Sequence, residues 1–311
     1  MSDTMRFVIK KLLIGVLVVL FVSALVFSIM QLMPGDTISL MFPEGSRVSA
    51  DKIAEMKTKW GLDQPPVVQF FYWLKNILHG DFGTSIVLKK DVNTLIADRL
   101  PYTLALTGLG LALNYLIAIP LGLIGAVKKD KAPDHIMKGI TFVLYSTPSF
   151  LLGIILMYLI AIKLKALPIS GYSGFSSLIL PALTIALPGA ASTFRIARSE
   201  ILDVMDERYV TTAYAKGLPR RQVLVKHILR NAMITVTVMF FLSLPWLIGG
   251  SVIVENLYAL PGLGKLLLQS IQKQDFPLAQ GIILMITVMT VICNILGDIV
   301  SGILDPRIRL Q

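Results

Sequence analysis

The chain holds a single cysteine, Cys293, and three histidines in 311 residues. No intrachain disulfide can form, and no His/Cys grouping has the spacing of a metal site. Charge is scarce as well: 15% of residues are Asp, Glu, Lys or Arg, against 55% hydrophobic. That balance excludes an ordinary soluble domain and points to an integral membrane protein. Neither H-E-x-x-H nor G-x-S-x-G occurs, so two common hydrolase signatures are absent. GLGK at 262–265 lacks the full glycine spacing of a phosphate loop and the Ser/Thr after its lysine. The chain therefore carries no site for hydrolysing ATP.

What the sequence does have is apolar runs. The first, 12–33, is uncharged and as a helix would be roughly 33 Å long, enough for the bilayer core. Arg6, Lys10 and Lys11 precede it. No small-residue cleavage site follows, so it reads as a retained anchor that starts in the cytoplasm. Five more runs lie at about 103–127, 140–162, 178–196, 233–254 and 278–304. Pro148, Pro181 and Pro188 fall inside two of them and predict bends, not breaks. The fold class is an all-α integral membrane protein with six transmembrane helices and both termini cytoplasmic. Its organisation reads as a tail and first helix (1–33), an external segment (34–101) and a five-helix core (102–311).

The external segment balances its charges. Helical character is expected at 51–60, and Phe70, Phe71, Tyr72 and Trp73 are suited to lying on the membrane face. His79 reads as a surface or turn residue. Charge placement supports the orientation. Basic residues crowd 6–11, 128–138, 195–230 and 307–309, whereas the short loops after spans three and five carry only Lys163, Lys165, Lys265 and Lys273. The net charge of +10 thus belongs to membrane topology and not to nucleic acid.

The spans are almost free of ionisable groups. Asp298 is the one acidic residue in them, expected near the cytoplasmic end of the last span within reach of water or a loop amide. A carrier that couples an ion to its cargo needs such groups mid-span, so energy is expected to enter through a partner protein. The entry point is the charged stretch at about 198–231. Asp206 is placed to cap a short helix of about 16 Å, with Glu207 near its positive end. Lys216 favours the other end, Gly217 can turn left-handed and Pro219 stops propagation. A second amphipathic segment follows at 220–230.

YVTTAYAKGLPR at 209–220 resembles the coupling-loop motif of bacterial binding-protein-dependent ABC importers, in the form found in the dipeptide/oligopeptide/nickel permease family. LMPGD (32–36), GLDQP (61–65), GDFGTS (80–85), ENLYALPGLG (255–264), DFP (275–277) and LDPRIR (304–309) are similar to that family's signatures, in the same order. Thr211 replaces the glutamate that opens the general motif, and Thr235 stands where many relatives have proline.

The resemblance implies one of two homologous but different permease subunits in a bacterial cytoplasmic membrane. Two ATPase subunits, which bind ATP and Mg, would sit below and an external solute-binding protein above. The chain itself would hold no cofactor. It implies an ATPase-coupling contact set of Tyr209, Thr212, Ala213, Lys216, Gly217 and Leu218, with internal packing the competing role for Ala213 and Leu218. Polar groups within the spans, Asn114, Ser146, Thr147, Ser149, Ser243 and Asn294, are candidates for lining the pathway, although such groups commonly bond between helices instead. Peptides, nickel chelates and opine metallophores are cargoes of similar permeases. The alternative is a stand-alone secondary transporter that needs no ATPase.

Overall fold

The computed structural model describes residues 3–32 and 63–304. The expected helix at 51–60, the motif at 32–36, the start of that at 61–65 and most of that at 304–309 lie outside the described residues. Ten helices organise the rest: α1 (Asp3–Leu32), α2 (Pro66–Leu78), α3 (Val92–Val127), α4 (Ala132–Ser146), α5 (Ser149–Leu156), α6 (Ser176–Met205), α7 (Arg208–Ala215), α8 (Arg230–Leu257), α9 (Leu263–Gln272) and α10 (Phe276–Leu304). A π-helical stretch, Met157–Lys163, extends α5. Another, Val223–Leu229, joins Arg220–Gln222 to α8 without interruption. Among the described residues the only extended pairing is a single bridge between Thr84 and Asp91.

Five of these segments are long and apolar enough to cross a bilayer, and the pair α4 and α5 supplies a sixth if the two halves form one crossing. Here the structure corrects the expected gentle bend at Pro148. The α4 and α5 axes differ by 109°. Proline lacks an N–H and forces its predecessor out of the helical region. Thr147 accordingly sits at φ −87°, ψ 123°. Pro181 and Pro188, by contrast, stay inside a continuous α6. The spans also overrun their apolar cores. α3 begins at Val92, within the expected external segment, and α6 runs past Arg195, Arg198 and Glu200 before it stops.

The centre of the protein is α3 laid against α6, closed by α8. Leu106, Leu111, Leu180, Ile185, Val254 and Tyr258 form its main cluster. Small residues let the helices approach, as expected in a bilayer, where packing and not the hydrophobic effect drives association. A side chain at Gly122 would meet the Ala197 methyl at 3.0 Å, and one at Gly153 would meet the Leu257 side chain at 2.5 Å. The Tyr258 hydroxyl pins three helices by bonding the Thr184 hydroxyl at 2.8 Å and donating to the Gly153 carbonyl at 3.1 Å. α1 stands outside this core against α10. Leu13, Leu17 and Phe21 remain more than half exposed, a face suited to lipid or another subunit.

Asp298 is partly exposed, within the expected reach of water, and also has an ion-pair partner. Lys11 Nζ of α1 lies 2.8 Å from its carboxylate. Three further carboxylates escaped the sequence reading because they sit at helix ends and are buried only by tertiary packing. Asp134 takes two bonds of 2.7 Å from Arg198 and lies 2.8 Å from Lys138. Asp275 receives the Ser85 hydroxyl and the backbone N–H groups of Ile86 and Val87. This ties the segment before α3 to the start of α10. Glu255, fully buried, accepts from the Thr103 hydroxyl at 2.7 Å, the Ser251 hydroxyl at 3.1 Å and the N–H groups of Gly264 and Lys265 at 2.7 and 3.1 Å. One carboxylate thus holds α3, α8 and the start of α9 together.

Removing that acceptor strands buried donors at about 1–3 kcal/mol each. Glu255→Ala should therefore lower the thermal midpoint of the detergent-purified protein by more than about 5 °C, and Glu255→Gln by less. A midpoint unchanged in Glu255→Ala would contradict the assigned role.

Candidate functional site

The charged stretch folds into a two-turn helix, α7, slung between the ends of α6 and the 220–257 helix. Asp206 does not cap it as expected. Its N–H donates to the Leu202 and Asp203 carbonyls at 3.2 and 3.3 Å, so it closes α6 instead. The reason is local: α6 carries its helical bonds to Met205, one residue before the turn. Glu207, extended at φ −70°, ψ 142°, precedes the first turn, and its carbonyl receives Val210 N–H at 3.0 Å. α7 is eight residues long, about 12 Å and shorter than expected.

The far end matches the sequence expectation in detail. Gly217 has φ +76°. Its N–H donates to the Tyr214 carbonyl at 2.9 Å, and Leu218 N–H donates to the Ala213 carbonyl at 3.3 Å. These are the paired bonds of a Schellman stop. Pro219 then opens the next helix.

Two faces result. Val210 and Ala213 are 1% and 5% exposed and pack with Ile201, Val223, Ile228 and Ala232, with Leu218 against the same cluster. Ala213 and Leu218, placed in the expected contact set, therefore face inward. An alanine and a valine on one side of a short helix fill the wedge between α6 and the 220–257 helix. Tyr209, Thr212, Lys216 and Gly217 remain exposed. Tyr209 is also anchored, since Asn231 Nδ2 donates to its hydroxyl at 3.0 Å. One level deeper, the Thr235 hydroxyl donates to Glu200 at 3.0 Å, tying α6 to α8. Threonine instead of proline at 235 leaves the helix there unbroken. The exposed face of α7 is thus linked to two spans by packing, by two tight turns and by the bond from Asn231 to Tyr209.

The candidate pathway residues are scattered. Asn114 is buried between α3 and α6, where a side chain at Gly189 would come within 2.6 Å of its Nδ2. It belongs to the helix contact. Ser243 and Thr147 donate back to Phe240 and Val143 carbonyls at 2.8 and 2.7 Å. Ser146 and Asn294 are exposed and Ser149 is half-buried. Ser146, Thr147 and Ser149 are brought together at the break between α4 and α5.

Residues 118–310 match the family described as binding-protein-dependent transport system inner membrane component, and residues 4–107 match that system's N-terminal membrane component. The chain belongs to this family. As a permease subunit, it is 38% identical over 310 residues to a protein of Brucella abortus named for a peptide transport system, covering 97% of this chain and 98% of that one. It is 36% identical over 307 residues to a glutathione transport system permease of Salmonella typhimurium, covering 99% and 100%. It is 37% identical over 315 residues to an oligopeptide transport system permease of Bacillus subtilis, covering 97% and 99%.

Solved structures share the fold at low identity. An inward-facing MetNI methionine ABC transporter aligns with a TM-score of 0.58 at 16% identity, over 68% of this permease and 96% of that chain. An amino acid ABC transporter aligns at 0.52 and 18%, over 67% and 93%. The permease is a multi-pass membrane protein.

The conformation and the charge at Gly217 can be separated. Asparagine and aspartate both tolerate positive φ. Gly217→Asp adds a negative charge to the exposed face and should abolish ATP-driven uptake with normal membrane insertion, whereas Gly217→Asn should retain most of it. Equal uptake by the two variants would show that charge at this point is immaterial.

Proposed function

We propose that this permease pairs with a second, homologous membrane subunit in the cytoplasmic membrane to form an ATP-driven import pathway for peptides. Two cytoplasmic ATPase subunits hold the nucleotide and Mg, and an external binding protein delivers the cargo. The observation that carries the reading is α7. It is a separately capped two-turn helix with an apolar side wedged between two spans and Tyr209, Thr212, Lys216 and Gly217 bare on the other. That is the form of a helix-in-groove contact. The basic crowding at 195–230 supports a cytoplasmic position for it.

Closure of the ATPase pair would shift α7, and α6 and the 220–257 helix would follow as one body, alternating access between the two sides. Peptide cargo is favoured over nickel chelates and metallophores because the relatives cited above are named for peptide, oligopeptide and glutathione systems. The buried carboxylates do not favour a self-powered carrier. Asp134, Glu255 and Asp275 are each surrounded by fixed donors, and an ion-coupling group must be free to exchange its proton or cation.

The test is reconstitution. Proteoliposomes holding both membrane subunits and both ATPases, supplied with the binding protein, should accumulate glutathione or dialanine only when ATP is present on the ATPase side. Accumulation by this permease alone, without nucleotide, would establish the secondary-transporter alternative instead.

A further inference from the structure

A cleft of about 140 Å³ lies between α4 and α6, lined by Lys138, Thr141, Phe142, Tyr145 and Arg195. Its charges are unequal in their commitments. Arg198, one turn beyond Arg195, spends its guanidinium on Asp134 through two bonds of 2.7 Å. Lys138 lies 2.8 Å from Asp134 and 3.9 Å from Asp130. Arg195 rests its guanidinium 4.4 Å from the centre of the Tyr145 ring, and among the described residues no carboxylate lies within ion-pair distance of it. The aromatic ring holds the arginine in place without neutralising it.

The medium that this cleft meets follows from the broken span. The turn at Thr147 and Pro148 interrupts the helical ladder, leaving carbonyls before it and N–H groups after it without helical partners. Hydrocarbon cannot satisfy such groups; only protein or water can. Yet Tyr145 and Phe150 are 55% and 50% exposed, and Ser146 is exposed beside them. The backbone groups freed at the break therefore suit a wet or protein-lined space better than lipid. In a two-subunit importer a wet space of that kind would be the cargo pathway. Arg195 lies ten residues, about 15 Å, from the Met205 end of α6, which places it in the cytoplasmic half.

We propose that this cleft is a carboxylate-binding subsite on the cargo path, in which Arg195, propped on Tyr145, takes the terminal carboxylate of a passing peptide. The volume decides against a site for the whole cargo, since pockets that enclose a drug-sized ligand run to about 300–1,000 Å³. It suits one planar oxyanion, which a guanidinium grips with two parallel bonds. Phe142 and Tyr145 offer apolar surface to the neighbouring residue of the peptide. The proposal rests on the peptide-import reading above.

Two readouts keep the subsite separate from that reading. The first uses the complete complex in proteoliposomes, with Cys293→Ser and Ser146→Cys in this permease, and compares labelling by sulfonatoethyl and trimethylammonioethyl methanethiosulfonate. The anionic reagent should be favoured, and Arg195→Gln should cut the anionic-to-cationic rate ratio about tenfold, the effect of one charge acting oppositely on the two reagents across several ångströms. An unchanged ratio overturns the subsite. So does protection of residue 146 from both reagents in liposomes, which would place this face against lipid or beneath another subunit.

The second readout is uptake of glutathione and dialanine. Arg195→Gln should lower the maximal rate at least tenfold with the half-saturating concentration unchanged, and Arg195→Lys should keep a larger share of it. Wild-type uptake with no loss in Arg195→Gln overturns the cargo role. Should the wild-type complex move neither peptide, the import reading fails by itself and the labelling ratio alone decides the subsite.

Discussion

The small apolar wedge beneath α7 is the contact on which the placement of that helix depends. Val210 and Ala213 insert between α6 and the 220–257 helix, among Ile201, Val223, Ile228 and Ala232. A helix this short has little stability of its own, so its shape is lent to it by that packing and by the turns at either end. In the proposed coupling, the same contact that holds it would make it a lever. Displacement of α7 cannot be absorbed locally, because close-packed side chains transmit strain instead of yielding to it. The anchors of Tyr209 on Asn231 and of Glu200 on Thr235 lead to the same two spans.

At the opposite end the permease is stiffened by another means. Glu255 and Asp275 are buried acids surrounded by N–H and hydroxyl donors, and each joins segments distant in sequence. A carboxylate offers more acceptor positions than any neutral side chain. One residue can therefore satisfy several loop amides that neither lipid nor water would reach. Such acids act as structural clamps, which explains how spans poor in ion-coupling groups can still contain fully buried charge.

The broken span between α4 and α5 is where these two regimes meet. Pro148 redirects the chain by 109°, three residues after Tyr145, whose ring holds Arg195. Arg198 and Arg195 show how little separates a structural cation from a free one. The first faces a buried aspartate, and the second, three residues earlier, faces an aromatic ring and open space.

The sequence alone determined the number and position of the apolar runs, the crowding of basic residues on one side and the glycine stop at 217. Each follows from a local rule: the thickness of the bilayer, the sign of charge retained in short loops, and the left-handed turn open to glycine. Tertiary structure alone decided which groups were buried and with whom. Glu255 and Asp134 lie near helix ends, where a linear reading expects solvent, and only the packing of α3, α6, α8 and α9 removes it. Asp206 could have capped either of two helices, and the continuation of α6 to Met205 assigned it to the first. Ala213 could face a partner or the interior, and the wedge between two spans turned it inward, because burying its methyl against Ile201 and Ala232 excludes the alternative.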